Sequence, residues 1–218
     1  MSLVIEGCVE SLEAAQAAEQ GGAHRIELCT NLAVGGTTPA IALVAACVSR
    51  LKIPVFVMVR PRGGDFCYSA AEHAQMLNEI RRVKDAGGRG IVTGALRADA
   101  SLDETQTRAL IAAARPLTVT FHRAFDSCND VEEALELLIA LGATRVLTSG
   151  GAATAPEGAA KIARLVRDAA GRIAIMAGGG VNGDNVAALV RTSGVREVHL
   201  STRDAAKIQR VALSLDRC

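Results

Sequence analysis

The chain has 218 residues, half of them hydrophobic, and a formal net charge of +1. That length buries a full core in one domain. The near-neutral charge, one tyrosine and absence of tryptophan argue against a nucleic-acid or membrane-surface partner, and no apolar run reaches membrane-spanning length.

The beginning of the chain runs straight into a strand pattern, without a charged n-region and long apolar core, so no signal peptide is expected. Six scattered cysteines without a CxxC pair read as reduced thiols of a cytoplasmic protein rather than a disulfide framework. Apolar, β-branched runs then alternate with Ala-rich amphipathic stretches to the end. Eight strands are expected at 3–9, 25–29, 55–60, 90–94, 117–123, 145–149, 172–178 and 197–201. Ser69-x-x-Glu72 and Ser101-x-x-Glu104 read as capping boxes, and Asn129-x-x-Glu132 is similar. Glycines at Gly21, Gly87, Gly142 and Gly194 mark helix ends.

The glycines also reveal a repeat. Gly22 leads to Ile26, Gly87 to Ile91, Gly142 to Val146 and Gly194 to Val198, each four residues on and each in an even-numbered strand. Pro54 and Pro116 open strands three and five alike. Eight βα units with pairwise repeats predict a closed α/β barrel, a single (β/α)8 TIM barrel domain over residues 1–218. An open doubly wound sheet needs fewer strands and one Gly-rich switch point.

Strand alternation sets a register. Ile26, Leu28, Val55, Val57, Val59, Val119, Phe121, Val198 and Leu200 face the helices. One interior layer then reads Glu6, Glu27, Met58, Val92, Thr120, Leu147, Met176 and His199. The layer nearer the carboxyl ends reads Cys8, Cys29, Arg60, Gly94, His122, Ser149, Gly178 and Ser201. Barrel centres are normally filled by Val, Ile and Leu. Buried charges need partners or a purpose, and their convergence at the carboxyl end points to a site, because barrel sites lie at that face.

Arg60 closes strand three, and Gly63-Gly64 turns the backbone behind it. Gly178, Gly179 and Gly180 after strand seven and Ser201 after strand eight stand where such barrels bind phosphate; Ser149, after strand six, adds donors. His122 can serve as a general acid or base, tuned by Glu27 or Arg60, or as a metal ligand. Asp126 stands too far along the loop to orient it directly.

Several of these segments resemble the CutC family of copper homeostasis proteins. They are Arg60-Pro-Arg-Gly-Gly-Asp-Phe-Cys-Tyr68, Thr120-Phe-His-Arg-Ala-Phe-Asp126, Thr148-Ser-Gly150, Met176-Ala-Gly-Gly-Gly-Val181, Arg25-Ile-Glu-Leu-Cys29 and Gly35-Gly-Thr-Thr-Pro39. The resemblance runs from Glu6 to about Ser201. It implies a cytosolic (β/α)8 barrel, often a homo-oligomer, with a role in copper tolerance and Cu(I) bound by Cys8 and Cys29. The segment between strand eight and the last helix is shorter than the family's.

Two functions follow. In the first, Cys8 and Cys29 on adjacent strands hold Cu(I), a soft ion that selects thiolate and thioether ligands, with Met58, Met176 or His122 nearby. In the second, an enzyme acts on a small anionic, perhaps phosphorylated metabolite. Arg60 and the Gly178–Gly180 turn bind the anion, Glu6 or Glu27 and His122 move protons, and His199 or Ser201 positions substrate. Isomerisation, aldol-type cleavage and hydrolysis are open. No lysine stands in the interior layers, which argues against a Schiff base.

Overall fold

The computed structural model describes residues 3–215. Its eight strands form one closed, all-parallel barrel in sequential order, β1 pairing with both β2 and β8. The strands are β1 Val4–Val9, β2 Arg25–Leu28, β3 Val55–Met58, β4 Gly90–Thr93, β5 Thr118–Phe121, β6 Arg145–Thr148, β7 Ala174–Gly178 and β8 Glu197–Ser201. The helices are α1 Leu12–Gln20, α2 Ile41–Arg50, α3 Ala70–Asp85, α4 Glu104–Ala114, α5 Val131–Leu141, α6 Ala159–Ala169, α7 Val186–Ser193 and α8 Ala205–Leu215. Several strands stop a residue or two short of the apolar run. Cys29, Arg60, His122 and Ser149 therefore stand just past strand ends, at the mouth.

The alternation separates two apolar clusters. Ile26, Leu28, Val55, Val57, Val59, Val119, Phe121, Val198 and Leu200 pack in the layer between barrel and helices. Cys8, Cys29, Phe56, Met58 and Val92 pack together in a second cluster.

Local signals set most helix ends. Ser69 makes both halves of a capping box with Glu72 at the start of α3. Gly142 and Gly194 end α5 and α7 in the left-handed conformation that suits glycine. Two starts differ from expectation. Asp103, rather than Ser101, caps α4 by accepting from Gln106 N at 3.0 Å. Asp130, rather than Asn129, caps α5 by accepting from Glu133 N at 2.9 Å. The two expected caps are used elsewhere: the Ser101 hydroxyl bonds Asp99, and the Asn129 amide donates to the Asp99 carbonyl. Among the described residues no helix is long and apolar enough to cross a membrane.

Candidate functional site at the barrel mouth

The site stands on a charged floor. Glu6 on β1 lies opposite Arg25 on β2 and His199 on β8. Arg25 Nε donates to Glu6, and its Nη2 reaches Glu197. Glu197 also accepts from Arg145, which in turn donates to the Thr120 hydroxyl. Arg25 and Arg145 both pack on Phe56, with guanidinium carbons 5.3 and 5.5 Å from its ring centroid. Met176 belongs to this floor, its sulfur accepting from Arg25 Nη2 at 3.0 Å. It is therefore not placed with the thiols.

Above the floor, His199 Nδ1 donates to Glu6 Oε1 at 2.8 Å and lies 3.9 Å from Glu27 Oε2. Burial disfavours charge on this ring, but Glu27 and the Glu6 hydrogen bond outweigh it and raise its pKa. Burial also opposes the charged form of Glu6, yet His199 and Arg25 bring its pKa down to about 2. Glu27 is different. Burial, with Glu6 adding repulsion, pushes its carboxyl up to about 7 against the pull of His199.

Cys8 Sγ lies 3.6 Å from Cys29 Sγ and donates to Glu27 Oε1 at 3.5 Å. The Cys29 neighbour, burial and Glu27 together hold the Cys8 thiol pKa well above its ordinary value. Ligating atoms of Cys8, Glu27 and His199 all lie within 4.8 Å of one another. A histidine whose other ring nitrogen is held by a carboxylate, as Glu6 holds His199, is the usual arrangement around a bound metal.

His122 makes its hydrogen bond outside this group. Its Nδ1 accepts from Ala124 N at 3.2 Å, and its ring lies 4.9 Å from that of Phe66. Burial, then the charge of Arg60, lowers its pKa to about 3, so it is neutral. Arg60 is buried too. It donates through Nη1 to Val34 O and Gly36 O and through Nη2 to Gly64 O, with no carboxylate among its partners.

Asp126 sits in the loop after β5 and reaches across to the loop after β6. Its carboxylate accepts from the Thr148 hydroxyl, from the backbone N–H of Ser149 (3.0 Å) and of Gly151 (3.1 Å), and from Arg123 Nε (2.8 Å). The chain's own anion thus occupies the donors of Ser149. Gly158 closes this loop from behind: a Cβ there would lie 1.9 Å from the Ser149 carbonyl oxygen. Gly158→Ala is expected to destabilise the fold by about 1–3 kcal/mol, as overpacking against backbone does. A urea midpoint equal to that of the parent chain would contradict it.

These groups surround one cavity of about 540 Å³. Cys8, Glu27 and His199 line it from below, Arg60 and His122 from one side. Gly179, Gly180 and Ser201 line it near the rim, while Gly178 packs against Leu147 and His199. Three lining residues carry a buried polar atom without a hydrogen-bond partner: Glu27 Oε2, Arg60 Nε and His122 Nε2.

Two charged cavity residues carry no signal in strand alternation. Lys207 comes from α8 and donates to Ser201 O at 2.6 Å; Arg123 comes from the loop after β5. Arg25, Arg145 and Glu197 also escaped the interior layers, although alternation extended one step back from Glu27, Leu147 and His199 finds all three.

The CutC family profile matches residues 3–204. The chain belongs to the CutC family. It is 48% identical over 200 residues to the human copper homeostasis protein cutC homolog, covering 92% of this chain and 73% of that one. It is also 48% identical over 203 residues to a CutC family protein of Chromobacterium violaceum, covering 93% and 82%. The crystal structure of CutC from Streptococcus agalactiae superposes with a TM-score of 0.87 at 35% identity, covering 92% of this chain and 99% of that one. In this CutC barrel the family's signature segments converge on the cavity: Arg60 and Phe66 from the first, His122 from the second, and Gly179 and Gly180 from the loop after β7.

Proposed function

We propose that the chain serves copper homeostasis in the cytoplasm by holding Cu(I) at Cys8 and Cys29. The observation that carries this reading is the 3.6 Å separation of the two sulfurs, with Cys8 lining the cavity and Cys29 buried behind it. Soft thiolate and thioether ligands select Cu(I), and Met58 packs in the same cluster as both cysteines. With a metal–thiolate bond of about 2.3 Å, two sulfurs on opposite sides of an ion would stand about 4.6 Å apart. The shorter separation favours a bent pair completed by a third donor. Met58 is the neutral candidate, and His199 becomes one once its ring, whose pKa is raised by Glu27 and Glu6, gives up a proton. Binding displaces thiol protons, so affinity rises with pH.

The test is an anaerobic competition titration with a Cu(I) chelator, run with Cys8→Ser/Cys29→Ser beside the parent. One copper per chain, lost in the variant, is expected; copper retained in the variant would sink the assignment.

A second reading is an enzyme acting on a small anionic metabolite. It is favoured by Arg60, a buried cation at the cavity wall held by three carbonyls and the Phe66 ring with no carboxylate partner, in the same cavity as a carboxyl at about 7 that can exchange protons near neutrality. Native mass spectrometry of protein purified without added ligand tests it. A small anionic adduct on the parent, absent from Arg60→Met, is expected; bare protein in both counts against it.

A further inference from the structure

We propose that Cys8, Glu27 and His199 form a binding site for a borderline divalent cation of the zinc class, with a donor set different from the two sulfurs that hold Cu(I). The proposal shares Cys8 with the copper reading but rests on neither that reading nor the enzyme one.

Three buried donors of three chemical kinds converge here from β1, β2 and β8. Their ligating atoms all lie within 4.8 Å of one another. Zinc bonds of about 2.3 Å to sulfur and 2.0–2.2 Å to nitrogen or oxygen set tetrahedral ligands about 3.3–3.6 Å apart. Cys8 Sγ and Glu27 Oε1 already stand at that spacing, 3.5 Å. An ion between the three side chains is therefore within reach of each by side-chain rotation, with the strands left in place.

The second observation is the Glu27 carboxylate itself. The residue is 2% exposed, and its Oε2 has no hydrogen-bond partner. The basic atom beside it, His199 Nδ1, stands 3.9 Å away and is committed to Glu6 at 2.8 Å. Buried carboxylate oxygens seldom lack a partner, and a cation among these groups supplies one. With Nδ1 on Glu6, Nε2 is the ring nitrogen left for the ion. Glu6, itself anchored by Arg25, then becomes the carboxylate that orients a ligating histidine.

The donor set selects the ion. Thiolate, imidazole and carboxylate together suit zinc, whereas magnesium and calcium take oxygen donors and Cu(I) takes soft sulfur. One thiolate and one carboxylate also balance a dication, once the Cys8 thiol has released its proton to solvent. Cys29 stands outside the set, its Sγ directed at Val9 O at 3.6 Å. Cys8, Glu27 and His199 all line the cavity of about 540 Å³. An ion thus enters from the cavity and keeps a coordination position open to it, as zinc does where it meets substrate rather than where it only holds a fold.

The test titrates reduced, metal-free protein with Zn(II) against a chromophoric chelator and with Co(II) read by absorbance. One zinc per chain is expected. Co(II) should show a sulfur-to-metal charge-transfer band and the strong visible bands of a four-coordinate ion. Glu27→Gln should weaken zinc by more than about a hundredfold, the upper end of the loss seen when only an orienting group is removed, without weakening Cu(I). Cys29→Ser should do the reverse, weakening Cu(I) and leaving zinc bound. The parent Co(II) spectrum decides the case even where a variant folds poorly. No zinc binding, or six-coordinate Co(II) without a sulfur band, would overturn the site and leave the copper reading standing. Zinc lost in Cys29→Ser but kept in Glu27→Gln would place the ion on the two thiols and overturn it as well. Zinc bound as expected by a parent chain that takes no Cu(I) would support this site and remove the copper reading.

Discussion

Arg25→Met lowers the stability of this barrel by about 3–5 kcal/mol, the usual cost of removing one partner from a buried ion pair. Arg25 bridges two carboxylates, Glu6 and Glu197, and also donates to the sulfur of Met176. Its side chain and that of Glu6 are 7% and 0% exposed, so water cannot replace it. Methionine fills much of the same volume, so the loss is electrostatic rather than a cavity. Glu6 keeps His199, and Glu197 keeps Arg145, which sets the effect toward the lower end of the range. For a chain of this length the loss corresponds to a fall in Tm on the order of 10 °C. Differential scanning calorimetry measures it, and a fall of less than about 2 °C would show that the floor network contributes little. Glu197→Gln is the companion variant, since it loosens Arg25 and Arg145 together.

Stability of the metal-free protein should peak at about pH 5–6 and fall on both sides. His122 takes a proton near 6.5 when unfolded but only near 3 in the fold. Between those values the unfolded state binds the extra proton, so stability falls as pH is lowered. Glu27 works in the opposite sense. Its folded pKa of about 7 lies above its ordinary 4.5, so the fold holds the extra proton and stability falls as pH rises through that window.

The two effects oppose each other between about 4.5 and 6.5, leaving stability nearly flat there. Below 4.5, Glu6, held down to about 2, joins His122 with the same sign. Two protons then give a slope of about 2.7 kcal/mol per pH unit. Above 6.5, the raised pKa of His199 adds to the Glu27 loss. Urea midpoints at pH 3.5, 5.5 and 8 test this pattern. His122→Phe should roughly halve the acid slope, and Glu27→Gln should flatten the alkaline side. An acid slope unchanged in His122→Phe would mean that the histidine is not buried neutral.

The sequence by itself determined the strands, their number and the faces of their side chains. Those depend on short-range rules: period-two alternation, glycine after a helix, and the end of β-branched runs. The same rules brought Cys8, Cys29, Arg60, His122 and His199 toward one end of one barrel, and the family signatures that contain most of them were legible as well.

Only the tertiary structure decided the partners. Alternation assigns a face, but closure of β1 on β8 brings Glu6 to His199 across 193 positions of chain. That contact, together with Arg25, holds Glu6 down to about 2, while burial lifts its neighbour Glu27 to about 7. Asp126 fills the backbone donors after β6 because two loops 22 residues apart meet there. Lys207 and Arg123 reach the cavity from a helix and a loop, where no strand period applies. The role of His122 turned on one backbone contact, Ala124 N to Nδ1, which fixes its proton on Nε2. Pairing energies and proton positions depend on distances of a few ångströms between segments far apart in sequence, and local patterning does not encode those distances.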